Sequence, residues 1–244
     1  INMPEDKTLL IILPTGEGKS LVYQALWKFK PRKTIAVVVP TITLAQDQES
    51  EINNHPKIKT NRPHAYIGGE DITNSTIKAA IPSGEQGLFF SSPQAMVGPL
   101  SFNLIKAAEN GSLGAVFIDE AHLVHDWGMD FNSAYQELAA LVSELRTRSP
   151  ENKKPKIICL SATINKESLE TLHTFFSLTD NPISVILPFE INISDLEIPV
   201  ELTIKPFLIN KDLLFIIYFY QSISLIVFLN SFIPWEIFLA NSGS

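Results

Sequence analysis

The chain has 244 residues, a formal net charge of −7, 45% hydrophobic residues and 18% charged residues, which suits one large α/β domain, or one domain and an appendage, around a sizeable core. The acidic balance argues against a dedicated electrostatic DNA binder, although a motor that grips its track locally can be acidic. The single cysteine, Cys159, excludes an intramolecular disulfide and any cysteine-based metal site.

The sequence opens without a basic segment, apolar run and small-residue cleavage site, and so reads as a reduced, cytoplasmic protein. In chain order, the pattern predicts a strand over Thr8–Leu13, a helix over Lys19–Phe29, a strand over Thr34–Val39 and a helix over Thr43–Asn53. A strand over Gly87–Ser91 and a helix over Phe102–Glu109 follow, then a strand over Ala115–Asp119 and a helix over Ser133–Thr147. Lys156–Leu160 reads as a fifth strand and Lys166–Phe176 as a last helix. Short, nearly unbroken apolar strands alternating with helices predict βαβ units and a mostly parallel sheet with helices on both faces. Cys159, inside KIICLSA, reads as a small buried hydrophobe.

Composition changes after Pro188, so the expected division is an α/β domain over residues 1–188 and a hydrophobic C-terminal tail over 189–244. Leu213–Trp235 is 23 residues without a charged side chain or histidine. That length could span a bilayer, but Gln221, Ser222, Ser224, Asn230, Ser231 and Pro234 make it a poor span. The abrupt shift fits incidental sequence, such as a fragment's end or an out-of-frame translation of AT-rich DNA, better than a membrane anchor.

The strongest chemical signal is LPTGEGKS, Leu13–Ser20, set between a strand and a helix. Pro14, Thr15, Gly16, Glu17 and Gly18 would form a loop whose glycines let backbone N–H groups turn toward phosphate oxygens. Lys19 would reach the β- and γ-phosphates of ATP, and the Ser20 hydroxyl would ligate Mg²⁺. The helix beginning near Lys19 adds its positive end. A strict P-loop pattern has Gly where this chain has Leu13.

A second signal is AVFIDEAH, Ala115–His122, an apolar strand ending in two carboxylates. Asp119 would hold Mg²⁺, largely through its water shell. Glu120 would orient and deprotonate the attacking water of phosphoryl transfer. The basic clusters Lys28–Lys33 and Arg146–Lys156 read as solvated loops, and the histidines form no zinc pattern.

These motifs together resemble RecQ-like DEAH-box DNA helicases of superfamily two. DEAH continues as LVHDWGMDFNSAY, with Trp127, Gly128, Asp130, Phe131 and Tyr135 on the positions of that family's aromatic-rich loop. The P-loop extends to Tyr23 and Gln24. VVVPTITLAQDQ resembles motif Ia, SSPQAMV motif Ib and LSATI motif III. SSPQAMVGPL with FIDEAHLVHDWG is most similar to the DpdF-type helicases of bacterial DNA-modification or defence islands.

The resemblance implies a RecA-like P-loop domain that uses ATP and Mg²⁺ and acts on DNA, single-stranded or at duplex junctions, in repair or defence. His122, Ser161 and Thr163 would couple nucleotide state to domain movement. Trp127 and Phe131 would stack on single-stranded bases. The family commonly has Arg after the Phe, where this chain has Asn132. The family's adenine-recognition motif would precede Ile1, and nothing after Pro188 resembles a second RecA-like domain with its arginine finger. The expectation is therefore an ATP-binding motor domain incomplete for unwinding alone. An RNA-directed DEAD/DEAH-type helicase and a non-hydrolysing ATP-dependent binding module are the alternatives.

Overall fold

The computed structural model describes residues 8–14, 18–30, 32–56, 58, 60–69, 71–126, 128–176, 184–186, 203–210, 213–220 and 223–230, with the backbone alone for 125, 126, 128–132 and everything after 176. The chain divides into two compact units, Ile1–Ile183 and Ser184–Ser244.

In the first unit, strands β1 (Thr8–Ile12), β2 (Thr34–Val38), β3 (Leu88–Ser91), β4 (Leu113–Ile118) and β5 (Lys156–Ser161) run parallel in the order β3-β2-β4-β5-β1. Every residue of all five is buried. A strand buried at each position, not every second one, needs cover on both faces of the sheet. The parallel α/β architecture read from the sequence is the one observed.

The helices are α1 (Lys19–Phe29), α2 (Ile42–Asn54), α3 (Ile72–Ala80), α4 (Pro93–Val97), α5 (Ser101–Glu109), α6 (Leu123–Asp126), α7 (Gly128–Arg148) and α8 (Lys166–Phe176). Side-chain caps fix several starts. Thr41 accepts from Leu44 N at 3.2 Å, Asp71 from Asn74 N at 2.6 Å and Ser92 from Ala95 N at 3.2 Å, each satisfying an otherwise orphan helix donor. Helices α3, α4 and α6 lie outside the elements expected from sequence, and α7 begins at Gly128, ahead of the expected Ser133.

Tyr23 of α1 anchors the core, packing edge-on against Phe90 of β3 at 5.6 Å and Phe117 of β4 at 5.8 Å between ring centroids. Gly87 precedes β3 at φ 66°, and a Cβ there would lie 2.4 Å from the Trp27 Nε1. Only glycine meets both conditions.

The second unit, taken by itself, contains a short strand β6 (Ser184–Ile186) and an antiparallel meander of β7 (Thr203–Asn210), β8 (Leu213–Tyr220) and β9 (Ile223–Asn230). The uncharged run that begins at Leu213 is thus divided between two antiparallel strands, and its last residues, 231–235, lie outside the described ones. No described helix is long and apolar enough to cross a membrane.

Candidate functional site

In a parallel α/β sheet the loops after the strand carboxyl ends gather on one edge, where ligands bind. Here the adjacent strands β4, β5 and β1 deliver DEAH, LSAT and the P-loop to that edge. Strand β5 fastens both neighbours. Leu13 N donates to Ser161 O at 2.9 Å, and Ala121 N donates to Leu160 O at 2.8 Å.

Gly18 ends the loop at φ 86° as the N-cap of α1, with no side chain capping the helix among the described residues. Leu21 N donates back to the Gly18 carbonyl at 3.0 Å, and the positive end of α1 suits an anion. Lys19 and Ser20 open the helix, both partly exposed, and Pro14 is exposed before the loop. Thr15, Gly16 and Glu17 lie outside the described residues.

The Lys19 ammonium donates to Glu120 Oε1 at 2.8 Å, across 101 residues of sequence, with side-chain exposures of 13% and 28%. The other oxygen of Glu120 lies 3.4 Å from His122 Nδ1. That nitrogen is 2.9 Å from Ser161 Oγ, and the Ser161 hydroxyl donates to the Thr163 carbonyl. Since serine has one hydrogen and gives it to Thr163, its oxygen accepts here and His122 Nδ1 carries the proton. Lys19, Glu120, His122, Ser161 and the Thr163 carbonyl thus form one chain of contacts. The Thr163 side chain itself is exposed.

Asp119 is only 7% exposed, and its Oδ1 accepts from Glu120 N at 3.0 Å. Burial first, then the Glu120 charge, push its carboxyl above the ordinary value, against the pull of the Glu120 N–H, Lys19 and His122. A divalent cation at this carboxylate would reverse that penalty. Asp119 and the Ser20 hydroxyl are hard oxygen donors of the kind Mg²⁺ takes, so the residues present fit that ion. Glu120 sits at φ 48°, a left-handed conformation uncommon for a side chain of this size. Such strain is found at functional sites.

Trp127 lies outside the described residues, and of Phe131 only the backbone, in α7, is described. Three further residues received no role from the sequence. The Tyr23 hydroxyl donates to Gln48 Oε1 of α2, and burial, Asp119 and Glu51 raise its pKa. Tyr135 of α7 is also raised by burial, with Asp119 and Glu120 contributing. All three stand within the motif stretches, but the burial of Tyr23 and Tyr135 and the contact of Tyr23 with Gln48 have no local sequence signal. Cys159 is fully buried, its thiol pushed up to about 12 by desolvation, which leaves it inert as a nucleophile.

Comparison with known proteins extends this picture. A family model described as DEAD/DEAH box helicase matches residues 2–172. The ATP-dependent DNA helicase RecQ of Bacillus subtilis is 30% identical over 158 residues, covering 64% of this chain and 24% of that protein. The ATP-dependent DNA helicase Q-like SIM of Arabidopsis thaliana is 28% identical over 173 residues, covering 68% and 19%. The crystal structure of the DUF1998 helicase MrfA overlays with a TM-score of 0.56 at 21% identity, covering 73% of this chain and 27% of that one. The chain therefore spans about a quarter or less of the length of these curated relatives.

Proposed function

We propose, since this chain belongs to the DEAD/DEAH box helicase family, that it is the ATP-binding motor domain of an ATP-dependent DNA helicase of the RecQ type. The observation that carries this reading is the 2.8 Å contact between Lys19 and Glu120. It joins, at the carboxyl edge of the sheet, a lysine suited to binding phosphate and a carboxylate suited to activating water.

In this reading the loop from Pro14 to Gly18 wraps the phosphates with backbone N–H groups, and Lys19 moves from Glu120 to the β- and γ-phosphates. Ser20 and Asp119 hold Mg²⁺, which when bound neutralises charge on the transferring phosphoryl group. Glu120, released by Lys19, orients the attacking water and accepts its proton. His122, Ser161 and Thr163 carry nucleotide state from Glu120 to the end of β5. Trp127 and Phe131 meet single-stranded DNA by stacking. A second RecA-like domain would supply the arginine that completes the transition-state site.

The substrate class is tested by ATP turnover at matched concentrations of single-stranded DNA and RNA. Stimulation by DNA over RNA is expected. Equal or greater stimulation by RNA would assign the chain to the RNA-directed motors. Tight nucleotide binding without turnover in any condition would make it a binding module.

A further inference from the structure

Two basic stretches that read from the sequence as separate solvated loops meet in the fold. Lys30, Arg32 and Lys33 lie between α1 and β2, and Lys153 and Lys154 lead into β5. In the sheet β2 and β5 flank β4, and all three run parallel. Both loops therefore stand at the amino edge, on either side of the turn that enters β4. That turn joins them. The Lys33 ammonium donates to the Gly111 carbonyl, and Thr34 N donates to Ser112 O at 2.8 Å. Gly111 is at φ 64°, and a Cβ there would collide with the Lys153 side chain. Lys33 and Lys153 thus rest on the same residue.

Their charges are not matched nearby. No carboxylate occurs between Lys28 and Lys33, and only Glu151 occurs between Arg146 and Lys156. Glu151 pairs with Lys154 at 2.6 Å. Glu85 pairs with Arg62 at 3.6 Å, and Glu109 with Lys106 at 2.8 Å and Arg148 at 3.1 Å. Among the described residues no carboxylate pairs with Lys30, Arg32, Lys33 or Lys153. Burial, and after it the Lys153 and Lys30 charges, lower the pKa of Lys33. Arg32 and Lys153 are exposed, and Lys30 and Lys33 are half-buried. Arg32 is held at a left-handed φ of 64°, a strain that clusters at functional sites. Like charges gathered in this way repel one another, and a bound polyanion relieves that repulsion.

We propose that this amino-edge cluster of Lys30, Arg32, Lys33 and Lys153 binds the phosphodiester backbone of duplex DNA without reading its bases. The cations are spread over two loops, which suits an extended polyanion better than a single phosphate. Duplex DNA presents one charge per about 1.7 Å of its axis. The P-loop, DEAH and LSAT segments lie at the opposite edge of the sheet, so the contact needs no nucleotide. Only the choice of DNA among polyanions rests on the proposed function.

The test is fluorescence anisotropy of a short labelled duplex with the full chain, free of nucleotide and in EDTA, over a range of salt concentrations. Lys153→Gln should weaken binding to every duplex sequence and reduce the slope of log affinity against log salt by about one. Adding Lys30→Gln should reduce it by about two, and Lys153→Arg should restore it. Arg32→Gln gives the same reading from the other loop should Lys153→Gln fail to fold. Lys166→Gln makes the same change in net charge at an exposed residue of α8 and should leave the slope unaltered. No duplex binding by the wild type, an unchanged slope in the double variant, or an equal drop in Lys166→Gln would overturn the proposal. So would polyglutamate binding as tightly as the duplex, which would assign the cluster to an acidic protein. ATP titration of the same proteins reads the proposed function separately, and the double variant should bind ATP as the wild type does. Duplex binding through these residues by a chain that binds no ATP would sink the proposed function alone.

Discussion

The Lys19 ammonium and the Glu120 carboxylate meet at 2.8 Å, so in the proposed function the two groups that ATP hydrolysis would need apart are paired with each other. Phosphate would then compete with Glu120 for Lys19. The contact is partly shielded from water, with exposures of 13% and 28%, which makes it stronger than an ordinary surface pair and weaker than a fully buried one. It keeps a cation beside Glu120, whose backbone is held at φ 48°.

Glu120→Gln removes the base and weakens this competition at once. Nucleotide should bind at least as well as to the wild type, while turnover falls by about 10²-fold or more. Asp119→Asn should instead raise the Mg²⁺ concentration that binding requires. Titration of both variants with nucleotide at several Mg²⁺ concentrations checks this. Identical behaviour of the two would refute the division of labour between the adjacent carboxylates.

His64 sets a pH dependence of stability away from the site. The imidazole is fully buried, its Nδ1 facing the Leu88 carbonyl at 2.7 Å and its Nε2 the Thr60 hydroxyl at 2.8 Å. Burial pushes its pKa below the ordinary 6.5, outweighing the Leu88 carbonyl and the Glu49 charge. Above that value both states hold the ring neutral and the fold keeps its full stability. As pH falls below about 6.5 the unfolded chain takes up a proton that the folded chain resists, so stability is lost. Thermal midpoints should drop between about pH 7 and pH 5.5, and His64→Gln should flatten the part of the curve nearest 6.5. An unchanged slope in the variant would assign the dependence to other groups.

All the nucleotide motifs lie in the unit that ends at Ile183. A chain cut after residue 188 should therefore bind nucleotide as the full chain does. It should also aggregate less, since it loses the uncharged run that begins at Leu213. Light scattering and a nucleotide titration on the shortened chain decide this. Loss of binding by a shortened chain that still folds would make the second unit part of the site.

The five strands were legible because their runs are nearly unbroken apolar, with Thr8, Thr34, Ser91, Lys156 and Ser161 only at their ends, as burial on both faces favours, and α8 was legible from its pattern over Lys166–Phe176. Helix α3 was hidden because ITNSTIKAA is mostly polar or small, although Asp71 three residues before Asn74 is a cap signal that could have revealed it. Ser92–Pro93 announces α4 equally well, as a cap followed by proline at the first turn. The start of α7 was obscured by Gly128 and by the mixed residues of the DEAH-following loop, which carry no helical period. In the site, the identities of Lys19, Asp119 and Glu120 followed from motif spacing. What spacing does not encode is the pairing of Lys19 with Glu120 across 101 residues. It depends on how β1, β4 and β5 bring distant loops to one edge.

In the proposed function Lys19 is the phosphate-binding lysine of an ATP site. Calorimetric titration of ATP with Mg²⁺ into the wild type and Lys19→Ala tests it most directly, with circular dichroism confirming that both are folded. The wild type should bind clearly and the variant should lose about 2–4 kcal/mol, as expected for a charge-assisted contact at a desolvated phosphate. Equal affinity in the two proteins would contradict it.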